Sequence, residues 1–348
     1  MSRGEGGRRW PRGSGGSRLA LTRSGRWVGP APVLAVAAVL TVFGVLIGWR
    51  MHLPVLHGAA VRFDARDIPW PGVTFRVVVL EKPRPVRVHE VVLDLDQRVW
   101  EPAASVAPDP DGPGGAEAQL MSPLELAARA GLFLAVNANA FAWSDGRAGE
   151  RAPVHWREGM RVDILGWAHD GRRQASPPER TYWSFWQETG GRVRLGQVGE
   201  GRPVRWAVAG FDALVMAGQE VPVDGRARHP RTAVGLDVTG RRMWWVVVDG
   251  RRPGYSEGMT LQELASWMRR RGCHEAVNLD GGGSSVLLMR DGDGRWRVCN
   301  RPSEGAPRPV PVLVGLRLRE AVRSGTTNQS DPMTQVPGRE VGDRVTAP

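Results

Sequence analysis

The sequence is poor in the residues on which several common kinds of site depend. Among its 348 residues are two cysteines, two tyrosines and a single lysine, Lys82. It contains no paired CxxC motif, no HExxH and no DxDxDG loop, so it predicts no metal site. The GxxxxGK[ST] spacing of a P-loop and the GxSxG spacing of a serine-hydrolase elbow are also absent. We therefore predict no bound cofactor.

Positive charge is concentrated near the N-terminus. The formal net charge is +11, but residues 1–50 contain eight arginines and one glutamate, which leaves +4 for residues 51–348. No zinc knuckle, helix-turn-helix pattern or aromatic RNA-binding signature accompanies this charge. Nucleic acid is therefore not expected as a partner, and the sequence does not indicate an oligomeric state.

Residues 28–49 are predicted to form a transmembrane helix. Residues 28–48 contain no charge, and as a helix they are about 31 Å long, enough to cross the hydrocarbon core of a bilayer. Trp27 and Trp49 stand at the expected interfaces, and the preceding arginines place the N-terminus in the cytoplasm. The alternative is a cleaved signal peptide, although the apolar stretch is long and no clear A-x-A site follows it. We expect a single-pass cell-membrane protein whose globular part is extracytoplasmic.

These features divide the chain into five parts, which we predict in order. They are a basic cytoplasmic tail (1–27), the anchor (28–49), a juxtamembrane linker (50–70), a globular domain (71–319) and a polar, aperiodic tail expected to be disordered (320–348).

About ten strand-like segments and two helix-like segments predict an α+β fold with mainly antiparallel or mixed β-sheet. Apolar and β-branched runs alternate with DG and GG turns, as in successive hairpins. One helix is predicted to begin at Ser122 and the other at Thr260, where Glu263 completes a capping box. Residues 102–118, rich in proline, glycine and alanine, are predicted to form a loop.

Cys273 and Cys299 are the only cysteines. Outside the cell they would be free to pair, because that compartment is oxidising. Two separate buried thiols are the alternative, and sequence alone does not choose between them because it cannot place the two Cα atoms within bonding range.

Two aspartates each follow an apolar strand and precede glycine. Asp249 follows the run WWVVV, and Asp280 follows EAVNL. This pattern predicts side chains delivered by buried strands to the rim of a sheet, where binding and catalytic groups are usually carried. A simple turn cap is the structural alternative for Asp280.

The loop around Asp280 combines glycines with hydroxyl groups. Its free backbone N–H groups can turn together toward an anion such as phosphate. The candidate binding residues in this segment are Asn278, Gly281, Gly282, Gly283, Ser284 and Ser285.

Two further segments supply arginine. HPRTAVGLD places Arg231 and Thr232 at the start of a strand, where the Arg231 guanidinium can hold a phosphate or carboxylate by two hydrogen bonds. A structural ion pair is the alternative for Arg231. The segment DGRRPGYS adds Arg251, Tyr255 and Ser256 behind the first aspartate.

AVNANAF places Asn137 and Asn139 at a strand end. Asparagines in such a position can bind sugar hydroxyls, and they can equally satisfy the backbone of a loop.

The segments AVNANAF, HPRTAVGLD, DGRRPGYSEGMTLQELA, NLDGGGSS and NRPSEGAPRPV resemble, in this order, the motif series of the phosphodiester glycosidase family. The resemblance covers about residues 130–318. At AVNANAF the family more often has NGGYF, so the edge that contacts the sugar departs from the pattern.

The resemblance implies that the protein removes a sugar joined through its anomeric carbon to a phosphodiester. Asp249 and Asp280 would supply the two carboxylates, in an order that the sequence does not fix. Arg231, Arg301 and the loop 281–285 would stabilise the phosphate. The expected partner is a phosphodiester-linked glycan of the cell envelope or of exopolysaccharide, with N-acetylglucosamine as one candidate sugar. The alternative is a glycan-binding module that keeps the cleft without catalysis.

Overall fold

The architecture comes from a computed structural model that describes residues 70–112, 114–144 and 155–319. Within these ranges the chain forms an α+β fold with two α-helices and twenty strands, as the sequence predicts in class. Residues 1–69 and 320–348 lie outside the described ranges, so the predicted anchor at 28–49 does too. No helix in the described ranges is long and apolar enough to span a bilayer.

The largest sheet has seven strands, numbered here in chain order along the whole sequence. Each strand pairs antiparallel with its neighbours. Its spatial order is β1 (Val73–Leu80), β2 (Val86–Asp94), β16 (Arg242–Val248), β15 (Arg231–Leu236), β17 (Glu275–Asn278), β13 (Asp212–Met216) and β14 (Gln219–Glu220).

Three smaller sheets complete the fold. The first five-stranded sheet runs β11 (Val193–Gln197), β10 (Trp183–Glu188), β12 (Val204–Gly210), β8 (Ala168–His169) and β9 (Gln174–Ser176). The second runs β19 (Trp296–Val298), β18 (Leu287–Arg290), β5 (Leu132–Asn137), β20 (Val312–Leu318) and β3 (Trp100–Val106). A three-stranded sheet runs β4 (Ala118–Gln119), β7 (Arg161–Ile164) and β6 (Phe141–Trp143).

The two faces of the seven-stranded sheet pack against different layers. One face meets helix α2 (Leu261–Arg270), whose Leu264, Ala265 and Met268 are fully buried. The opposite face contributes Val91 and Val247 to the main core shared with the smaller sheets. Burial on both faces explains why β16 is apolar at almost every position, since neither side of the strand meets water.

Local signals define both helices. α1 (Pro123–Arg129) begins with proline at its first position, where the missing N–H costs no hydrogen bond. At α2 the predicted capping box is confirmed: Glu263 N donates to Thr260 Oγ1 at 3.1 Å, and Thr260 N donates to Glu263 Oε2 at 2.9 Å.

The structure corrects one expectation and answers one question that the sequence left open. The predicted loop at 102–118 is wrong at its start, because Pro102 lies within β3, paired with Leu316. A proline is tolerated there because β3 is an edge strand. Cys273 is a buried free thiol in the α2 layer, whereas Cys299 packs against the main core, so the disulfide between them is not formed. Burial raises the pKa of the Cys273 thiol to about 12.

Candidate functional site

Asp249 and Asp280 reach the same edge of the seven-stranded sheet. Strands β16 and β17 both run antiparallel to β15 and lie on either side of it, so both end beside the start of β15. Asp249 follows β16 directly, and Asp280 follows β17 by two residues. Two strand spacings separate their backbones, a distance of about 10 Å. The strand order therefore places both aspartates at one edge of the sheet, as the sequence predicts.

The glycine turn after Asp280 is pinned to the start of β15. Gly282 N donates to Pro230 O at 2.9 Å, and Gly282 adopts φ +62°, which a residue with a side chain rarely does. Asp280 N donates to Ala138 O at 2.9 Å. A short 3₁₀ turn, Gly282–Ser284, follows. The side-chain oxygens of Ser285 and Asn278 are buried and have no hydrogen-bond partner among the described residues.

Asp280 is the carboxyl group with the most unusual electrostatics at this edge. Burial raises its pKa to about 6, although the nearby Ser284 hydroxyl, the Arg308 charge, the Gly281 N–H and the Arg251 charge all act to lower it. The Gly281 N–H lies 2.9 Å from Asp280 Oδ1. A carboxyl group with such a pKa can exchange a proton near neutral pH.

Cationic side chains surround the glycine turn. Arg251 has a left-handed backbone, with φ +58°, and its guanidinium lies over Gly282 and 3.4 Å from His229 Nδ1. Arg308 comes from the loop before β20 and lies beside Gly283, where it pairs with Glu304. Burial, together with the charges of Arg231 and Arg251, lowers the pKa of His229. An anion placed on the turn would therefore meet the Arg251 guanidinium, whereas the charge of Arg308 is offset by Glu304, whose carboxylate lies equally close to Gly283.

Arg231 is held by backbone groups. Its Nε donates to Met259 O at 3.0 Å, and one terminal nitrogen donates to Ala227 O at 3.1 Å. Burial lowers the pKa of this guanidinium, Asp212 raises it and Arg251 lowers it further. These bonds fix the segment that carries His229. Nε and one terminal nitrogen of Arg231 already donate to backbone oxygens. The binding of an anion by two hydrogen bonds from Arg231 therefore stays a prediction.

Asp249 differs from Asp280 in having both carboxylate oxygens fully occupied. Oδ1 accepts hydrogen bonds from Arg301 N at 2.8 Å and from Asn300 Nδ2 at 3.3 Å. Oδ2 accepts from His89 Nε2 at 2.9 Å and from Tyr255 Oη at 3.2 Å. The side chain is buried. Asp249 therefore organises the residues around it, and two of them, Tyr255 and Arg301, were predicted site residues.

Several predicted sugar ligands are tethers in the structure. Asn137 Nδ2 donates to Asp280 O at 2.7 Å, and Asn137 Oδ1 accepts from Thr232 Oγ1 at 2.7 Å. Asn139 bonds the backbone of residues 165–167 and of Ala209. Ser256 Oγ donates to the backbone oxygen of Asp249 at 2.6 Å. All four side chains are buried, so their observed contacts position the loops, and their contact with a sugar stays a prediction.

Four residues at this edge were missed by the sequence reasoning. His89 and Arg87 lie on β2, about 160 positions before the motif they touch. Asn300 and Arg308 flank Arg301 in a motif that was recognised, so attention to all of its polar residues would have found them. Within the described ranges, no group of three or more His, Cys, Asp or Glu side chains is arranged to hold a metal ion.

Two solved structures show the same fold at low sequence identity. A hypothetical protein from Synechocystis aligns with a TM-score of 0.53 and 14% identity, covering 76% of this chain and 64% of that one. The zebrafish N-acetylglucosamine-1-phosphodiester alpha-N-acetylglucosaminidase catalytic domain, auto-inhibited by its pro-peptide, aligns with a TM-score of 0.52 and 19% identity, covering 77% and 92%. No curated protein sequence matches the chain significantly.

The phosphodiester glycosidase family model matches residues 135–317, more than half of the chain, and this range includes both aspartates, the glycine turn and the arginines around it. The chain therefore belongs to the phosphodiester glycosidase family, a family of glycan-cleaving hydrolases.

Proposed function

We propose that the protein hydrolyses a sugar-1-phosphodiester in an envelope or secreted glycan and releases the sugar, with N-acetylglucosamine as the first candidate. The observation that carries this proposal is the position of Asp280. Its carboxyl group, with a pKa raised to about 6, lies at the rim of a glycine turn that Arg251 and Arg308 approach. A proton-exchanging group beside an anion cradle is what cleavage next to a phosphate needs.

The phosphate of the substrate is assigned to the glycine turn. The guanidinium of Arg251 stabilises the charge that develops on the leaving phosphate. Gly283 supplies the backbone N–H, because the N–H groups of Gly281, Gly282, Ser284 and Ser285 already have acceptors within the protein. Water attacks the anomeric carbon, the bond from that carbon to the phosphate oxygen breaks, and the phosphomonoester leaves with the electron pair. Because a phosphomonoester leaves without help from an acid, Asp280 is assigned to accept the proton of the attacking water.

Asp249 supports this chemistry indirectly. Its carboxylate binds Arg301 N and Tyr255 Oη, and it is buried beneath them. A nucleophilic role would require at least one of its four donors to leave, which costs free energy in a buried site. We therefore assign a single displacement with Asp280 as base, which predicts inversion at the anomeric carbon.

The site of action is proposed from residues outside the described ranges. The apolar segment 28–49 and the arginines before it favour a membrane anchor with the catalytic domain outside the cytoplasm. Fractionation checks this point: the full chain should remain in the membrane pellet after alkaline carbonate washing, and recovery in the wash would overturn the anchor.

The activity is tested by incubating the full chain with a panel of sugar-1-phosphodiesters and measuring free sugar and phosphomonoester. We expect release of both in equal amounts from at least one member, and no release from the matched methyl glycosides that lack phosphate. Calorimetric binding of the phosphodiesters without release would favour the alternative, a glycan-binding module.

The pH dependence of kcat/KM follows from the raised pKa of Asp280. As a base the group must be ionised, so kcat/KM should fall about tenfold per pH unit below pH 6 and reach a plateau above it. Bound phosphate disfavours the carboxylate, so the corresponding limb of kcat should lie at higher pH. A profile that instead rises as pH falls through 6 would reassign Asp280 as the acid.

A further inference from the structure

Two arginines converge on one aromatic ring beside Asp249. The guanidinium carbon of Arg87 lies 4.4 Å from the centre of the Tyr255 ring, and that of Arg301 lies 4.9 Å from it. Arg87 comes from β2, and Arg301 follows β19 by three residues. In both contacts the guanidinium lies over the ring, so its N–H donors are not used by the ring itself.

These arginines lack the carboxylate partners that their neighbours have. On the helix side of the seven-stranded sheet, by contrast, Arg76 and Arg271 bind Glu90, and Arg84 binds Glu263. Among the described residues, neither Arg87 nor Arg301 forms an ion pair. The Nε of Arg87 is buried and has no hydrogen-bond partner there either. Two cations on one ring repel each other, and an anion bound between them would remove that repulsion.

The pair lies next to the proposed phosphate cradle. Arg301 N and Tyr255 Oη both bind Asp249, and Arg251 follows Asp249 by two residues and reaches over Gly282. Arg252 ties the two segments together, because one of its terminal nitrogens donates to Pro302 O at 2.7 Å. Two positively charged positions therefore share one edge of the sheet.

We propose that Arg87, Arg301 and Tyr255 form a second anion subsite. The inference rests on the proposed function and deepens it: the preferred substrate is a polyanionic glycan, with a second negative group close to the phosphodiester that is cleaved. A neighbouring phosphodiester and a uronate carboxylate share the required chemistry, since both accept two hydrogen bonds from a guanidinium. The ring of Tyr255 contacts both guanidinium groups and positions them to bind this second negative group.

The test compares four derivatives of N-acetylglucosamine-1-phosphoglycerol. In three of them the glycerol carries a second phosphodiester, a uronate or a neutral sugar, and the last of these three is the neutral compound. The fourth carries phosphate on the 6-hydroxyl of the departing sugar. We expect kcat/KM to be about tenfold higher for at least one dianion than for the neutral compound, the gain of one charged hydrogen bond. Arg87→Gln should remove most of that preference.

Arg241→Gln is the matched control, because Arg241 is exposed and lies in the turn at the opposite end of the β15–β16 hairpin. It should keep the preference for the dianion. Equal kcat/KM for the dianions and the neutral compound in the unaltered protein would overturn the second subsite while leaving the proposed hydrolysis standing.

A binding measurement covers the case in which none of the compounds is cleaved. Calorimetry then compares glycerol 1,3-bisphosphate with glycerol 1-phosphate on the unaltered protein and on Arg87→Gln. The subsite predicts about tenfold tighter binding of the bisphosphate, lost in the variant. The same ratio of affinities in both proteins would overturn it.

Discussion

Asp280→Asn should abolish turnover and at the same time make the protein more stable at pH 7. The carboxyl group has a pKa of about 6 in the folded protein, raised mainly by burial, whereas an unfolded chain leaves it near 3.8. The folded state therefore holds the proton more tightly than the unfolded state. Folding stability contributed by Asp280 is lost as pH rises from about 4 to about 6, and the full loss is present at neutral pH.

Asparagine carries no charge, so it escapes this loss. At pH 7.5 the variant should gain on the order of 1 to 3 kcal/mol, which corresponds to an increase in Tm of several degrees. At pH 4 the difference in stability should shrink to well under about 1 kcal/mol, because aspartate is then protonated in the folded state and only about half ionised in the unfolded state. The turnover number should fall by about a thousandfold or more, since the variant has no base at this position.

Asp291→Asn provides the matched control for Asp280. Asp291 also closes a turn, but it is partly exposed to solvent, and its hydrogen bond from Arg297 Nε at 2.7 Å lowers its pKa. Its removal should reduce stability at neutral pH and leave turnover unchanged. If Asp280→Asn instead lowered Tm at both pH values, Asp280 would be a turn cap, and the assignment of the base would fail.

The signals that the sequence carries well are local ones. Both aspartates were placed correctly at strand ends, because an apolar run followed by glycine marks the end of a buried strand wherever it lies. The capping box of α2 depends on residues three positions apart, so it too could be identified before the structure. Family motifs added the order of the segments around the aspartates.

The contacts that the sequence does not carry are those set by long-range pairing. His89 meets Asp249 only because β2 pairs with β16, in a register that no local pattern specifies. Asn137 does end a strand, as predicted, but the backbone of Asp280 lies over it, so its amide faces protein instead of solvent. A local residue pattern predicts where a strand ends, but it does not predict which distant segment packs against that end.

The second large effect is expected at Asp249, and its sign is opposite. Asp249→Asn should unfold more easily, with a free energy of unfolding lower by about 2 to 4 kcal/mol, because a buried carboxylate with four donors loses one acceptor oxygen. The NH₂ group of the new asparagine is itself a donor, and it must replace one of the two carboxylate oxygens. It then faces other donors, either Arg301 N and Asn300 Nδ2 or His89 Nε2 and Tyr255 Oη. His89 can accept a hydrogen bond only by moving its proton to Nδ1, which is buried without a partner among the described residues.

Urea unfolding at pH 7.5 measures this loss, and Tyr255→Phe provides a graded control. That variant removes only the 3.2 Å bond from Tyr255 Oη to Asp249 and should cost about 0.5 to 1.5 kcal/mol. Turnover should fall with stability in Asp249→Asn, since Arg301 and Tyr255 lose their common anchor. A variant that is inactive but as stable as the unaltered protein would instead identify Asp249 as a reacting carboxylate. In that case a double displacement with retention would replace the single displacement proposed for Asp280.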